Sequence, residues 1–270
     1  MIAYQNYFFA FIFAYMKQIV LITGCTSGFG EACAYKFARH GYNLLLNGRR
    51  KDRLEELKKK LEKDYEVSCY MLPFDVREQE AVASAINNLP DEWKNIDILV
   101  NNAGLALGRD LFQDGNIDDW EVMIDTNLKG LLYVTKAVVP FMIKKKRGHI
   151  INIGSVAGKE AYEKGNVYCS TKAAVDSLTQ SMRIDLLPHH IKVTAIHPGA
   201  AETEFSLVRF KGSAESANKI YEGFTPLTAA DVADIVFFTA SLPPHVCIND
   251  LVVTPTQQAN GSVFNKSGKL

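Results

Sequence analysis

Short aliphatic runs alternate along the chain with longer stretches whose apolar residues recur every three to four positions. Gln18–Thr23, Asn43–Asn47, Val67–Pro73, Ile96–Val100, His149–Ile153, Ile191–His197 and Asp250–Pro255 read as strands, the first of them β-branched and buried on both faces. Helical stretches run from the first strand's glycine turn to His40, over Arg50–Lys63, from near Glu78, and from Trp120 to about Lys146. Two more carry Tyr168 and span Asp231–Ser241. Asn127 falls inside the long helix, where asparagine has poor propensity, so a kink or a bound water is expected there. Strands alternating with helices predict an α/β fold: one domain, a doubly wound parallel sheet of about seven strands with helices on both faces. Right-handed crossovers then bring every strand's C-terminal end to one edge, where open α/β sheets bind ligands.

The domain is expected to span residues 17–256. Met1–Tyr15 is almost wholly apolar or aromatic and uncharged. It is too short to cross a bilayer and lacks a signal peptide's basic start and small-residue cleavage site. Residues 1–16 are therefore expected to be a leader outside the fold, and no membrane association is expected. Residues 257–270 form a polar tail, readable only as a packing arm. Glu204–Phe224 mixes Gly, Ser and Ala among charges and is expected to be a mobile substrate lid.

Charge excludes more than it suggests. Thirty basic residues balance thirty acidic ones, which leaves no electrostatic footprint for nucleic acid. The densest basic run, Lys144–Arg147, reads as a solvated helix end opposing the macrodipole. The five cysteines, at 25, 33, 69, 169 and 247, form no C-x-x-C pair. Neither a disulfide framework nor a metal site is expected, and a reducing, cytoplasmic setting fits.

The candidate chemistry lies at the strand ends. Gly24-Cys25-Thr26-Ser27-Gly28-Phe29-Gly30 stands between a strand and a helix, the arrangement that offers backbone N–H groups to a phosphate. A simple tight turn is the alternative. After the second strand, Gly48 holds the place where an acid would bind the ribose hydroxyls of NAD, and Arg49 and Arg50 follow. Guanidinium groups suit a 2′-phosphate, so NADP is favoured over NAD; otherwise Arg50 merely opens a helix. Asp75, before Val76, either accepts from an adenine amino group or caps the next helix. Asn102 ends the fourth strand, and Pro198-Gly199 with Thr203 end the sixth. Tyr168 and Lys172 are four apart, on one helix face. An ammonium one turn away favours the phenolate, which would bring the phenol toward the range of a general acid/base. Ser155, just past a strand, is placed to hydrogen-bond the same substrate oxygen. A surface Tyr and Lys on an ordinary helix is the alternative.

Taken together, Thr23-Gly-x-x-x-Gly28-x-Gly30, Asn101-Asn-Ala-Gly104, Asn127, Ser155, Tyr168-x-x-x-Lys172 and Pro198-Gly199 resemble the short-chain dehydrogenases/reductases, from Lys17 onward. Within that family the stretches Asp97–Gly108, Ile124–Asn127, Gly148–Ser155, Gly165–Tyr168 and Thr203–Gly212 are similar to NADP-dependent 3-hydroxy acid dehydrogenases acting on serine and L-allo-threonine. The resemblance implies a Rossmann-type fold, NADP as cofactor, a small hydroxy or oxo acid as substrate, no metal, and a homo-oligomer, commonly a tetramer. It implies that Tyr168 exchanges a proton with substrate, Lys172 lowers the Tyr168 pKa and holds the nicotinamide ribose, and Ser155 orients the substrate oxygen. Asn127 would hold a water joining Lys172 to solvent. Asn102 and Pro198–Thr203 would line the nicotinamide half. An acidic substrate needs a cationic partner, and Arg209, in the expected lid, is the candidate. A reductase of ketoacyl groups, sugars or steroids, and a non-catalytic NADP-sensing protein, are the alternatives.

Overall fold

The computed structural model describes residues 17–270; the expected leader lies outside them. Seven strands form one parallel sheet: β1 (Ile19–Ile22), β2 (Asn43–Asn47), β3 (Cys69–Leu72), β4 (Ile96–Asn101), β5 (Gly148–Ile153), β6 (Ile191–Pro198) and β7 (Asp250–Val253). Their order is β3-β2-β1-β4-β5-β6-β7. The order reverses between β1 and β4, which opens a crevice at their C-terminal ends. The helices are α1 (Gly28–Arg39), α2 (Lys51–Asp64), α3 (Gln79–Asn87), α4 (Ile117–Ile124), α5 (Leu131–Lys145), α6 (Asn166–Leu186), α7 (Glu204–Arg209), α8 (Ala214–Lys219) and α9 (Ala229–Ser241).

Side chains alternate across a strand, and both faces of this sheet are covered. Val20 and Ile22 of β1 pack with Phe37 of α1, Leu54 of α2 and Val232 of α9. Ile19 and Leu21 pack on the other face with Val82 of α3 and Val134 and Val138 of α5. That two-sided burial is why the strands read as continuous aliphatic runs. The observed strands are shorter than some expected ones: the third is Cys69–Leu72 rather than Val67–Pro73.

Asn127 sits in a π-helical turn, Asp125–Gly130, that joins α4 to α5. The expected irregularity is therefore a wide turn. The Asn127 amide leaves the helix to bond Leu105 and Thr171.

The Lys144–Arg147 run is not simply solvated, which corrects its reading as a free helix end. Lys145 and Arg147 both donate to Oδ1 of Asp97, each at 2.8 Å, and the Ile19 N–H donates to Oδ2 at 2.9 Å. Asp97 is buried, so it recruits the nearest cations. Sequence could not show that the helix end lies over a buried carboxylate.

The segment expected as a lid forms two short helices, α7 and α8. The tail packs: Gln257 and Gln258 are buried and bond the backbone N–H of Thr225 and Ala200. The boundary drawn at 256 thus cuts through packed structure.

Candidate active site

Two adjoining cavities lie along the strand C-terminal edge, and Tyr168 lines both. The longer one, about 300 Å³, runs past Gly24, Thr26, Ser27, Gly28, Phe29, Arg49, Arg50, Asp75, Val76, Asn102, Lys172 and Thr203. The second, about 190 Å³, is bounded by Ser155, Tyr162, Pro198, Gly199, Phe205 and Arg209 among others.

The glycine loop is built for close approach. Gly24 and Gly28 have φ of +66° and +56°, where a side chain would be strained. A β-carbon at Gly30 would run into the Gly24 carbonyl and the Asn102 amide. Ser27 heads α1 without a side-chain cap, so the helix's first N–H groups are offered to the groove. Arg50 donates to Thr26 Oγ1 at 3.0 Å and to Ser27 Oγ at 3.3 Å, while Arg49 is exposed at the rim. Backbone donors, two hydroxyls and two guanidinium groups converge here, a donor set that fits a phosphorylated dinucleotide.

Two of the loop residues have other duties. Cys25 does not line the groove: its thiol is sealed in the core, donates to the Asn47 carbonyl at 3.1 Å, and is pushed far up by burial. Gly30 is buried beneath the loop. Asp75 lines the groove but is not the cap of α3, whose N-cap is Glu78. Asp75 binds the Arg77 side chain at 2.7 Å and accepts its backbone N–H at 3.0 Å. Burial raises its pKa, but Arg77 outweighs this and holds the carboxyl below its usual range.

Tyr168 and Lys172 rise from α6 into the junction of the cavities. The Lys172 ammonium donates to the Ile153 carbonyl at 2.8 Å, and burial pushes its pKa down to about 8. Asn127 stands beside it: the space above Gly104 is closed by Asn127 Oδ1 and Lys172 Nζ together. The Tyr168 phenol departs from expectation. Burial, and secondarily Tyr162, push its pKa above the usual value; the largest opposing pulls come from Ser155 and Arg209, not Lys172. The physical reason is desolvation: the cation one turn away is itself buried and turned to a carbonyl. Ser155 is the strongest pull against that rise, and its hydroxyl accepts the Ala157 N–H at 3.1 Å.

Arg209 is buried in the second cavity. Its guanidinium donates to Tyr162 Oη at 2.9 Å and to the Gly108 carbonyl at 3.3 Å. It makes no ion pair with a carboxylate among the described residues, so its charge faces the cavity uncompensated.

Several wall residues gave no signal in sequence. Tyr162 lies in a loop with no periodicity, and Gln258 in the polar tail. Glu204 accepts from Arg53 at 3.1 Å and lies 3.6 Å from Arg50, tying the start of α7 to the arginine-lined end of the groove. Only the proximity of Arg-rich and acidic segments in the fold brings these together.

Residues 18–212 match the family model of the short chain dehydrogenases. Sulfoacetaldehyde reductase 2 of Chromohalobacter salexigens is 48% identical over 245 residues, 90% of this chain and 96% of that one. The NADP-dependent 3-hydroxy acid dehydrogenase YdfG of Escherichia coli K12 is 47% identical over 243 residues, again 90% and 96% of the two chains. A structure of serine dehydrogenase in its closed form, complexed with NADP+, superposes with a TM-score of 0.86 at 46% identity, covering 91% of this chain and 98% of that one.

Proposed function

We propose that this chain, which belongs to the short-chain dehydrogenase family, is an NADP-dependent oxidoreductase interconverting a small 3-hydroxy acid and its 3-oxo acid. Serine, L-allo-threonine and 3-hydroxypropionate are the substrate type. The observation that carries this is Arg209: a buried guanidinium without an acidic partner among the described residues, in the same cavity as Ser155 and Tyr168. A buried charge calls for a counter-ion, and a substrate carboxylate supplies it. The names and bound cofactor of the similar proteins support the same reading.

NADP supplies hydride transfer at its nicotinamide. The chain supplies the rest. Gly24, Thr26, Ser27, Gly28 and Phe29 cradle the pyrophosphate, and Arg49 and Arg50 hold the 2′-phosphate. Asp75 and Val76 flank the adenine; Asn102, Pro198, Gly199 and Thr203 border the nicotinamide half. Lys172 holds the ribose and Asn127 keeps the Lys172 surroundings in place. Ser155 orients the substrate oxygen, Tyr168 exchanges its proton, and Arg209 holds the carboxylate.

A second reading shares this geometry. A small sulfonated aldehyde presents the same anion-plus-carbonyl pattern to Arg209, and one relative is named for such a substrate. The test is NADP reduction over serine, L-allo-threonine, 3-hydroxypropionate and 3-hydroxyisobutyrate, beside NADPH oxidation with sulfoacetaldehyde, with NAD and NADH as controls. Turnover of the hydroxy acids is expected; turnover confined to uncharged carbonyls would sink both readings.

The assembly is expected to be a homotetramer through its long helices, a reading supported by exposed Leu132 on α5 and Ile184 on α6. Five unpaired thiols support a reducing, cytoplasmic setting. No described helix is long and apolar enough to cross a membrane.

A further inference from the structure

Behind Ser155 lies a charged cluster, built around one buried ring and open to solvent at Lys159 and Asp250, that the proposed chemistry does not use. The His197 ring, at the end of β6, is fully buried. Its Nδ1 lies 3.3 Å from the Ser155 carbonyl oxygen. Its Nε2 faces Asp250 Oδ1 at 3.3 Å and Asp176 Oδ1 at 3.6 Å. The Lys159 ammonium binds the other oxygens of both acids, at 2.9 Å on Asp176. Lys159 therefore bridges the two carboxylates that flank the ring. The backbone is fitted to the ring: a β-carbon at Gly154 would collide with it.

These four side chains come from the elements that carry the reaction centre. Asp176 follows Tyr168 and Lys172 at the same four-residue step on α6, so all three share a helix face. Lys159 ends the turn that Ser155 begins. His197 and Asp250 come from neighbouring strands, β6 and β7. A carbonyl only accepts, so the bond to Ser155 requires a proton on Nδ1. A neutral ring in that tautomer leaves Nε2 without a proton for the carboxylates, and burial, then Lys159, hold the ring's pKa below its usual value.

We propose that His197 is a positioning residue: its Nδ1–H holds the Ser155 carbonyl, and its packing against Asp176, Asp250 and Lys159 ties the Ser155 turn to the helix that bears Tyr168. This rests on the roles proposed above for Ser155 and Tyr168. Small displacements of reacting groups are costly; an error of about 1 Å can lower a rate on the order of a hundredfold. The ring acts through Ser155 and does not touch substrate.

Two near-isosteric variants separate the edges of the ring. In H197N the amide nitrogen takes the Nδ1 position and can still donate to Ser155. In H197Q the amide reaches toward the carboxylates and leaves Ser155 unheld. H197Q is expected to lower kcat on L-serine about tenfold or more, with KM for NADP within about twofold; H197N is expected to stay within about threefold in kcat. Equal losses in the two variants, or full kcat in H197Q, overturn the proposal. If H197Q does not fold, ¹⁵N NMR of the unmutated protein with NADP decides, its signal assigned through H197N: a bare Nδ1 overturns the proposal and a protonated one supports it. If the unmutated enzyme oxidises none of the hydroxy acids, the substrate reading fails. The positioning role is then read in the ring-carbon NMR signal of Tyr168, which H197Q shifts and H197N preserves; a signal unmoved by both overturns it.

Discussion

The guanidinium carbon of Arg209 lies 5.6 Å from the centre of the Tyr168 ring, and both residues are buried in one cavity. The phenol that burial makes less acidic thus has a permanent cation over its face, and Arg209 pulls its pKa back down. Under the proposed function, binding of substrate and tuning of the acid/base group would meet in one side chain.

Arg209→Ala should raise KM for a 3-hydroxy acid by about 10- to 100-fold, the cost of losing a charged hydrogen-bond donor at about 1.5–3 kcal/mol. Arg209→Lys should recover little, because a single ammonium cannot keep the forked bonds to Tyr162 and Gly108. Steady-state kinetics in the oxidative direction check both. An unchanged KM in R209A would remove Arg209 from the substrate site.

Tyr168→Phe should lower kcat by about 10²- to 10⁴-fold, the usual contribution of a positioned acid/base group. NADP affinity, followed by calorimetry, should stay within about threefold, because the groove's phosphate end is built from other residues. Retained turnover would show that another group handles the proton.

The sheet was legible because strands buried on both faces must be aliphatic throughout, and the glycine loop because only glycine tolerates φ of +66° at Gly24 and +56° at Gly28. The environment of Tyr168 was not legible. Spacing showed that Lys172 shares its helix face, but its pKa depends on desolvation and on Arg209, which is 41 residues away and brought over the ring by tertiary folding. Polarity gave no detail elsewhere. The tail read only as a packing arm, and nothing singled out Gln257 and Gln258, each of which spends its amide on the backbone and is buried. Lys145 and Arg147 looked free until Asp97 was found beneath them.

Arg49→Ala and Arg50→Ala should each reduce kcat/KM for NADP by about tenfold and leave the value for NAD within about twofold, since one charged contact to phosphate is worth about 1.5–3 kcal/mol. Any loss with NAD should be confined to Arg50→Ala and stay within that twofold, because Arg50 also holds Thr26 and Ser27 of the glycine loop. Initial rates with both cofactors measure the preference. Parallel losses for NAD and NADP would place the arginines in loop structure and not in phosphate recognition.

Asp97→Ala should destabilise the fold by about 1–3 kcal/mol, the cost of leaving part-buried donors without their acceptor. It leaves the Lys145 ammonium half-buried without a counter-ion and the Ile19 N–H without an acceptor. The site lies at the opposite end of β4 from Asn102, so kcat of the folded fraction should be unchanged. Urea unfolding and kinetics on the same preparation check the two halves.

Lys172 makes stability depend on pH in a definite direction. Its usual pKa of 10.5 falls to about 8 in the fold because burial disfavours the charge. Between those values the unfolded chain binds more protons than the folded one, so stability rises with pH across that window. Below about pH 8 the full penalty is present, on the order of 3 kcal/mol for a shift of this size. Lys172→Met removes the charge at similar length. It should therefore raise the unfolding free energy near pH 7, less the bond to Ile153, while abolishing turnover. The gain should shrink as pH rises toward 10, where the unmutated lysine is neutral in the fold. Denaturant unfolding at pH 7, 8.5 and 10 measures it. A variant less stable than the unmutated protein at pH 7 and no better at higher pH would mean that the ammonium is solvated or compensated, contrary to its burial.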